Sequence, residues 1–84
     1  MVDYIFSKHA MHQFERRGID KKTVDNILRS PKQIIAVEEC VHVYQSLTVV
    51  CRHNYLVRIF VNICREPYLV VTGYRTSKID KYEG

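Results

Sequence analysis

The fold is decided by an alternating stretch in the second half of the chain, Tyr55–Ile63, which reads YLVRIFVNI. Its odd-numbered residues are all aliphatic or aromatic, whereas Arg58 and Asn62 share the even positions with Leu56 and Phe60. Successive side chains of a strand point to opposite faces of a sheet. The stretch therefore predicts a strand with one apolar face and one mixed face, from which Arg58 projects.

On either side of this strand, β-branched residues dominate the chain after Pro31. The predicted strands are Ile34–Val37, Val41–Val50, Tyr55–Ile63 and Leu69–Tyr74. Turn chemistry at His53-Asn54 and at Arg65-Glu66-Pro67 is compatible with hairpins. Four consecutive strands joined in this way predict a mainly antiparallel sheet.

Two helices are predicted before Pro31. Ser7 is a suitable N-cap and Gly18 a suitable helix-ending residue, so the first helix runs from about Lys8 to Arg17. Asp20 caps the second helix, which Ser30-Pro31 ends. The expected fold is α+β: an N-terminal helical hairpin packed on one face of a four-stranded sheet, as a single domain over residues 1–84. The other face is left for solvent or a ligand.

Composition narrows the class of protein. The formal charge of +4 suits a polyanionic partner, although charge alone is equally compatible with an ordinary basic surface. No segment has the run of about 18 apolar residues that a membrane span needs, and the amino terminus lacks the features of an export signal. Cys40, Cys51 and Cys64 are odd in number and widely spaced, which argues against a disulfide scaffold and favours a reducing cytoplasm.

Three polar residues stand four positions apart on the first predicted helix: His9, Gln13 and Arg17. Steps of four keep side chains on one side of a helix, so these residues, here called the helical stripe, are predicted to present a surface for an anion. Ordinary explanations stay open for two of them. His9 can bond to nearby backbone or to a carboxylate, and Arg17 can serve the helix dipole.

Several short motifs resemble a family of small prokaryotic domains. They are Phe6-Ser7-Lys8-His9-Ala10, Arg17-Gly18-Ile19, and Val70-Val71-Thr72-Gly73-Tyr74-Arg75-Thr76-Ser77-Lys78 with Lys81-Tyr82. That signature belongs to uncharacterised domains that are similar in size and layout to the RelE, ParE and BrnT toxins of type II toxin-antitoxin pairs. One departure is Gln13, where the wider family often has arginine, and the lost cation weakens the expectation of catalysis.

The resemblance implies metal-independent cleavage of mRNA, with ribosome-bound mRNA as one candidate substrate, by a cytoplasmic toxin that a cognate antitoxin protein inhibits. RNA carries its own nucleophile in the 2′-hydroxyl, so a proton acceptor, a proton donor and cations around the phosphoryl group suffice. The catalytic residues expected under this hypothesis are His9, Arg17, Tyr74 and Lys78. The residues expected to bind RNA are Gln13, Arg58, Arg75 and Tyr82. All of them are expected to meet in one cationic pocket, although Tyr74 is also explained as an aromatic residue at the edge of the core.

No cofactor and no metal are expected. Cys40 with His42 and Cys51 with His53 lack the second closely spaced pair of a zinc site, and the acidic residues are dispersed. Two alternatives remain open: a non-catalytic module of the same fold that binds nucleic acid or protein, and a toxin that inhibits gyrase.

Overall fold

A computed structural model describes residues 4–79 of the chain. The described part contains two helices and one five-stranded sheet. In chain order the elements are β1 (Tyr4–Phe6), α1 (Lys8–Arg16), α2 (Lys21–Arg29), β2 (Gln33–Ala36), β3 (Val41–Val50), β4 (His53–Asn62) and β5 (Tyr68–Thr76). No helix in this part is both long enough and apolar enough to pass through a bilayer.

The sheet has the order β1-β5-β4-β3-β2. The four predicted strands are present and antiparallel, whereas β1 is an additional strand that lies parallel to β5. Sequence reasoning missed β1 because it has three residues, which is too few for an alternating pattern.

Both helices begin where the sequence predicts. The hydroxyl of Ser7 accepts a hydrogen bond from the Ala10 N–H at 3.0 Å and donates one to the Val71 carbonyl at 3.2 Å. The Asp20 carboxylate accepts from the Thr23 N–H at 2.8 Å. Gly18 has a φ of +69°, a backbone conformation that L side chains rarely adopt, and it ends α1 as expected.

The core lies between the helices and one face of the sheet. Ala10 and Phe14 of α1, together with the apolar face of α2, pack against the odd-numbered residues of β4. The helical members from α2 are Val24, Ile27 and Leu28, and the strand members from β4 are Val57, Ile59 and Val61. The alternation that predicts this apolar face of β4 is confirmed.

The turn between β3 and β4 differs from the prediction. It consists of Cys51 and Arg52, with φ values of 50° and 68°, instead of His53-Asn54. His53 pairs with Val50, so the strands continue almost to the tip of the hairpin. Two-residue hairpin loops prefer positive φ at both positions because that twist matches the twist of the strands.

A disulfide joins Cys40 to Cys64, so the prediction against a disulfide was wrong. Cys40 directly precedes β3 and Cys64 lies shortly after β4, and the pairing of Val41 with Asn62 brings the two positions together. Their Cα atoms are 5.2 Å apart, within the ordinary range for a disulfide. Sequence spacing could not show this proximity because it depends on the register of the hairpin.

Candidate functional site

The face of the sheet that turns away from the helices, here called the distal face, carries a row of four polar side chains. Gln33 of β2 pairs in register with Gln45 of β3, Gln45 with Arg58 of β4, and Arg58 with Tyr74 of β5. Partners in register lie on the same face, so the row runs straight across four strands. These four residues are called the polar row below.

Hydrogen bonds join every neighbouring pair in the polar row. The Arg58 Nε–H donates to Gln45 Oε1 at 3.0 Å, and the Gln45 Nε2–H donates to Gln33 Oε1 at 2.9 Å. On the other side, Arg58 Nη1 donates to the Tyr74 hydroxyl at 2.6 Å. Arg58 is thus held through two different nitrogens, which fixes the plane of its guanidinium group.

Two aromatic rings lie beside the Arg58 guanidinium. Its Cζ atom lies 5.6 Å from the centre of the Phe60 ring and 5.8 Å from that of Tyr74. The two rings stack on each other, with centres 6.1 Å apart and planes 29° apart. A cation beside aromatic faces combines a contact for phosphate with surfaces on which unpaired bases can stack.

The strands around the polar row carry little charge. In β2, β3, β4 and β5 the Lys, Arg, Asp and Glu residues comprise only two arginines, Arg58 and Arg75. They lie on opposite faces, because Arg75 pairs with Val57 of the core and Arg58 with Tyr74. Arg58 is therefore the one cation that these four strands place on the distal face.

Part of the distal face is buried although the helices pack on the other side. Gln45, Val43 and Leu56 have 1%, 0% and 1% of their surface exposed, respectively. Arg58, Phe60 and Tyr74 are half-buried. The distal face is thus a packed surface with partly accessible polar groups, and it is less solvated than the sequence predicts.

The helical stripe lies on α1, on the other side of the sheet. The Arg17 Nε–H donates to Gln13 Oε1 at 3.2 Å, so two of the three predicted neighbours are in contact. His9 and Arg17 are exposed and Gln13 is half-buried. The spacing argument correctly predicts that Gln13 and Arg17 are neighbours, but their contact is an exposed one along a single turn of chain.

Arg75 faces the helices. Its guanidinium lies 4.9 Å from the centre of the Tyr55 ring, and one of its nitrogens is close to Gly18 at the end of α1. Arg75 therefore lines the end of α1, away from Tyr74, its immediate neighbour in sequence. Lys78 follows β5, is exposed, and its backbone N–H donates to the Thr76 hydroxyl at 3.1 Å.

The single cationic pocket expected from the sequence is not formed by residues 4–79. α1 does pack on β5, as expected, but Tyr74 points to the distal face while His9, Gln13 and Arg17 lie on the helix side. Among the predicted site residues, the structure joins Arg58 to Tyr74 on the distal face and Gln13 to Arg17 on the helix side, in two separate places. Tyr82 lies outside the described residues.

Sequence reasoning missed Gln45 and Gln33. Gln45 lies in a run of strand-forming residues and looks like a solvated position, yet it is 1% exposed. Only the pairing of four strands places it between Arg58 and Gln33. The signal that could have found Gln45 is a polar residue placed opposite Arg58 in the predicted hairpin. A turn at His53-Asn54, as predicted, pairs Arg58 with a different residue, so the signal is lost.

The described residues show no group of three or more His, Cys, Asp or Glu side chains arranged to hold a metal ion. Each buried side-chain nitrogen or oxygen atom in this part of the chain has a hydrogen-bond partner. Within the described residues, the polar row offers hydrogen-bonding groups, one guanidinium and one phenol.

The described chain is a small two-layer α+β domain whose distinctive polar site lies on the sheet. Residues 6–75 match the family described as a domain of unknown function, DUF4258. The chain belongs to this family. No curated protein matches the sequence. No solved structure matches it either.

Proposed function

We propose that this protein is a toxin-type ribonuclease that binds single-stranded RNA on the distal face and cleaves it without a metal. The observation that carries the proposal is the contact of Arg58 with both Tyr74 and Gln45 beside two stacked aromatic rings. The proposal keeps the activity implied by the RelE-like resemblance, but moves its centre from the helical stripe to the polar row.

Binding follows from the chemistry of the row. Guanidinium groups recognise phosphate oxygens through paired N–H donors. Phe60 and Tyr74 supply rings on which splayed bases stack, and such stacking tolerates any base. Single-stranded RNA offers both a phosphate and unpaired bases, whereas the bases of a duplex are already stacked.

Cleavage requires two proton transfers and stabilisation of charge. A solvent water molecule would take the proton of the 2′-hydroxyl as its oxygen attacks phosphorus, the bond to the 5′-oxygen would break, and a 2′,3′-cyclic phosphate and a 5′-hydroxyl would be produced. Arg58 would stabilise the negative charge that develops on the phosphoryl oxygens. The Tyr74 hydroxyl, which already accepts a hydrogen bond from Arg58, would supply the proton to the leaving oxygen.

A second candidate is a non-catalytic RNA-binding module. The observation that favours it is the position of the histidines, which are the usual proton carriers near neutral pH. His9 and His12 lie on α1, and His42 shares a strand face with the buried Tyr44 on the helix side. Under this alternative the distal face binds RNA but has no efficient base.

The test uses end-labelled single-stranded RNA in the presence of EDTA. We expect the wild type to bind and to cleave, and Arg58→Ala to lose affinity by about tenfold or more, since one charge-assisted hydrogen bond contributes about 1.5–3 kcal/mol. Tyr74→Phe retains the ring and is expected to bind RNA but cleave it poorly. Arg17→Ala is the matched control from the helical stripe and should change affinity less than about twofold.

The outcomes separate the candidates. Binding that depends on Arg58 without cleavage would favour the non-catalytic module. RNA affinity unchanged by Arg58→Ala would refute the distal face as the binding site. Growth arrest on induction, with intact cellular RNA, would point to a toxin that inhibits a protein. The toxin assignment further predicts a partner protein encoded next to this chain.

A further inference from the structure

We infer that Gln45 is a positioning residue, which holds the Arg58 guanidinium toward an RNA phosphate without placing a negative charge beside it. The inference rests on the proposed function of the distal face. It concerns a residue that neither the sequence motifs nor the resemblance singles out. Gln45 itself is buried and acts through Arg58.

The first argument is burial. Gln45 is 1% exposed, and a buried primary amide costs free energy unless its polar atoms are hydrogen-bonded. Both ends of the Gln45 amide are bonded, the oxygen by Arg58 and the nitrogen to Gln33. An apolar residue would fill this interior position at lower cost, so the amide is best explained by what it does for Arg58.

The second argument is direction. Arginine donates hydrogen bonds and accepts none, so the Gln45 atom that faces Arg58 must be its oxygen. The Gln45 nitrogen must then face β2, and the Gln33 atom that meets it must be an oxygen. One guanidinium therefore sets the orientation of two amides in sequence, and the chain of bonds leaves a single arrangement.

The third argument is charge. A carboxylate at position 45 would bond to Arg58 equally well, but its negative charge would oppose the cation that attracts phosphate. The amide supplies the same acceptor without this opposition. An Arg–Gln pair thus keeps the guanidinium rigid and positive, which is what a preorganised anion site requires.

The test compares Gln45→Glu and Gln45→Met with the wild type. Affinity for a single-stranded RNA oligonucleotide is measured by fluorescence anisotropy over a range of salt, and stability by urea unfolding. Gln45→Glu is expected to stay folded, to lose affinity by about tenfold, and to show a salt dependence weaker by about one phosphate contact. Gln45→Met removes the acceptor and should weaken binding by several-fold.

Gln13→Glu is the matched control, since Gln13 also accepts from an arginine Nε–H, that of Arg17 on the helix side. It should leave RNA affinity within about twofold of the wild type. Wild-type affinity of a folded Gln45→Glu protein would overturn the inference. If Arg58→Ala lowers affinity in the same assay, that result leaves the proposed function intact; if Arg58→Ala has no effect, both fail.

If the Gln45 variants do not fold, a measurement on the wild-type protein still tests the inference. An Arg58 Nε–H held by a buried acceptor should exchange slowly with solvent and give a distinct resonance at neutral pH in a ¹⁵N-edited NMR spectrum. Its assignment is made by its loss in Arg58→Lys. If the Arg58 Nε–H exchanges as fast as that of Arg17, Gln45 does not hold it and the inference fails.

Discussion

The helical stripe and the polar row are two groups of polar side chains that differ in how they are built. In the stripe, Gln13 and Arg17 are neighbours because a helix repeats, and an exposed 3.2 Å hydrogen bond joins them. In the row, residues from four strands are joined in register around the buried Gln45. Exposed side chains must lose conformational freedom when a ligand binds, whereas a row that is already ordered has lost it on folding. The side chains of the polar row are therefore already ordered before a ligand binds, whereas those of the helical stripe are not.

The largest effect is expected at Gly73, where α1, the helix of the stripe, packs against β5, the strand that carries Tyr74 of the row. A Cβ atom there would overlap the Phe14 ring of α1 and lie 3.0 Å from the Arg58 carbonyl oxygen. We expect Gly73→Ala to lower the free energy of unfolding by about 1–3 kcal/mol, because an overpacked core must displace either the helix or the strand. Urea denaturation measures this change.

Gly73→Ala also shows whether α1 or the strand that carries Arg58 moves to make room for the methyl group. Adding Phe14→Leu should recover part of the loss in Gly73→Ala if the helix moves, because a smaller side chain leaves room for the new methyl group. Strictly additive losses in the double variant would mean that the strand carrying Arg58 moves instead. In that case RNA affinity should fall as well.

A change of intermediate size in the free energy of unfolding is expected at Ser7, whose hydroxyl links α1, the helix of the stripe, to β5. Ser7→Ala removes the N-cap of α1 and the bond to the Val71 carbonyl, and should cost about 1 kcal/mol of unfolding free energy. RNA affinity should stay at the wild-type value, because the polar row is untouched. A marked loss of affinity in a folded Ser7→Ala protein would show that the stripe takes part in binding.

The smallest change in stability is expected at Asp20, which caps α2. This helix carries no residue of the helical stripe or of the polar row. Hydrogen bonds from the side chain and the backbone N–H of Thr23 lower the pKa of the Asp20 carboxyl below its ordinary value. The charged cap therefore stabilises the fold fully above the unfolded-state pKa of about 4, and this contribution is lost as the pH falls through the lower folded-state value.

Asp20→Asn keeps a neutral cap and provides the comparison. Wild type should be slightly more stable than Asp20→Asn at pH 7, and the difference should shrink below about pH 4, as followed by urea midpoints. The loss caused by Ser7→Ala should not change over this range, since a hydroxyl does not titrate there. A gap between wild type and Asp20→Asn that is as large at pH 3 as at pH 7 would contradict the role of the ionised carboxyl.

The features that could be predicted from the sequence are local ones. Ser7, Gly18 and Asp20 mark helix ends through bonds or backbone angles within a few residues, and alternation in Tyr55–Ile63 defines the two faces of β4. The placement of Arg58 on the distal face follows from that alternation and is confirmed.

The features that could not be predicted depend on register. The disulfide, the pairing of Gln45 with Arg58, and the separation of Tyr74 from the helical stripe all require knowing which residue faces which across strands. A shift of one residue moves every side chain to the other face. The interpretation of Tyr74 and Arg75 as one group fails for this reason, since consecutive strand residues point apart.

The parallel pairing of β1 with β5 has a consequence for how the protein forms. The first strand and α1 both find their partner in the last strand, Tyr68–Thr76. During synthesis, β1 and α1 therefore emerge before the strand that completes their packing. The sheet cannot close until Tyr68–Thr76 has been translated, and until then the apolar side of α1 lacks that strand.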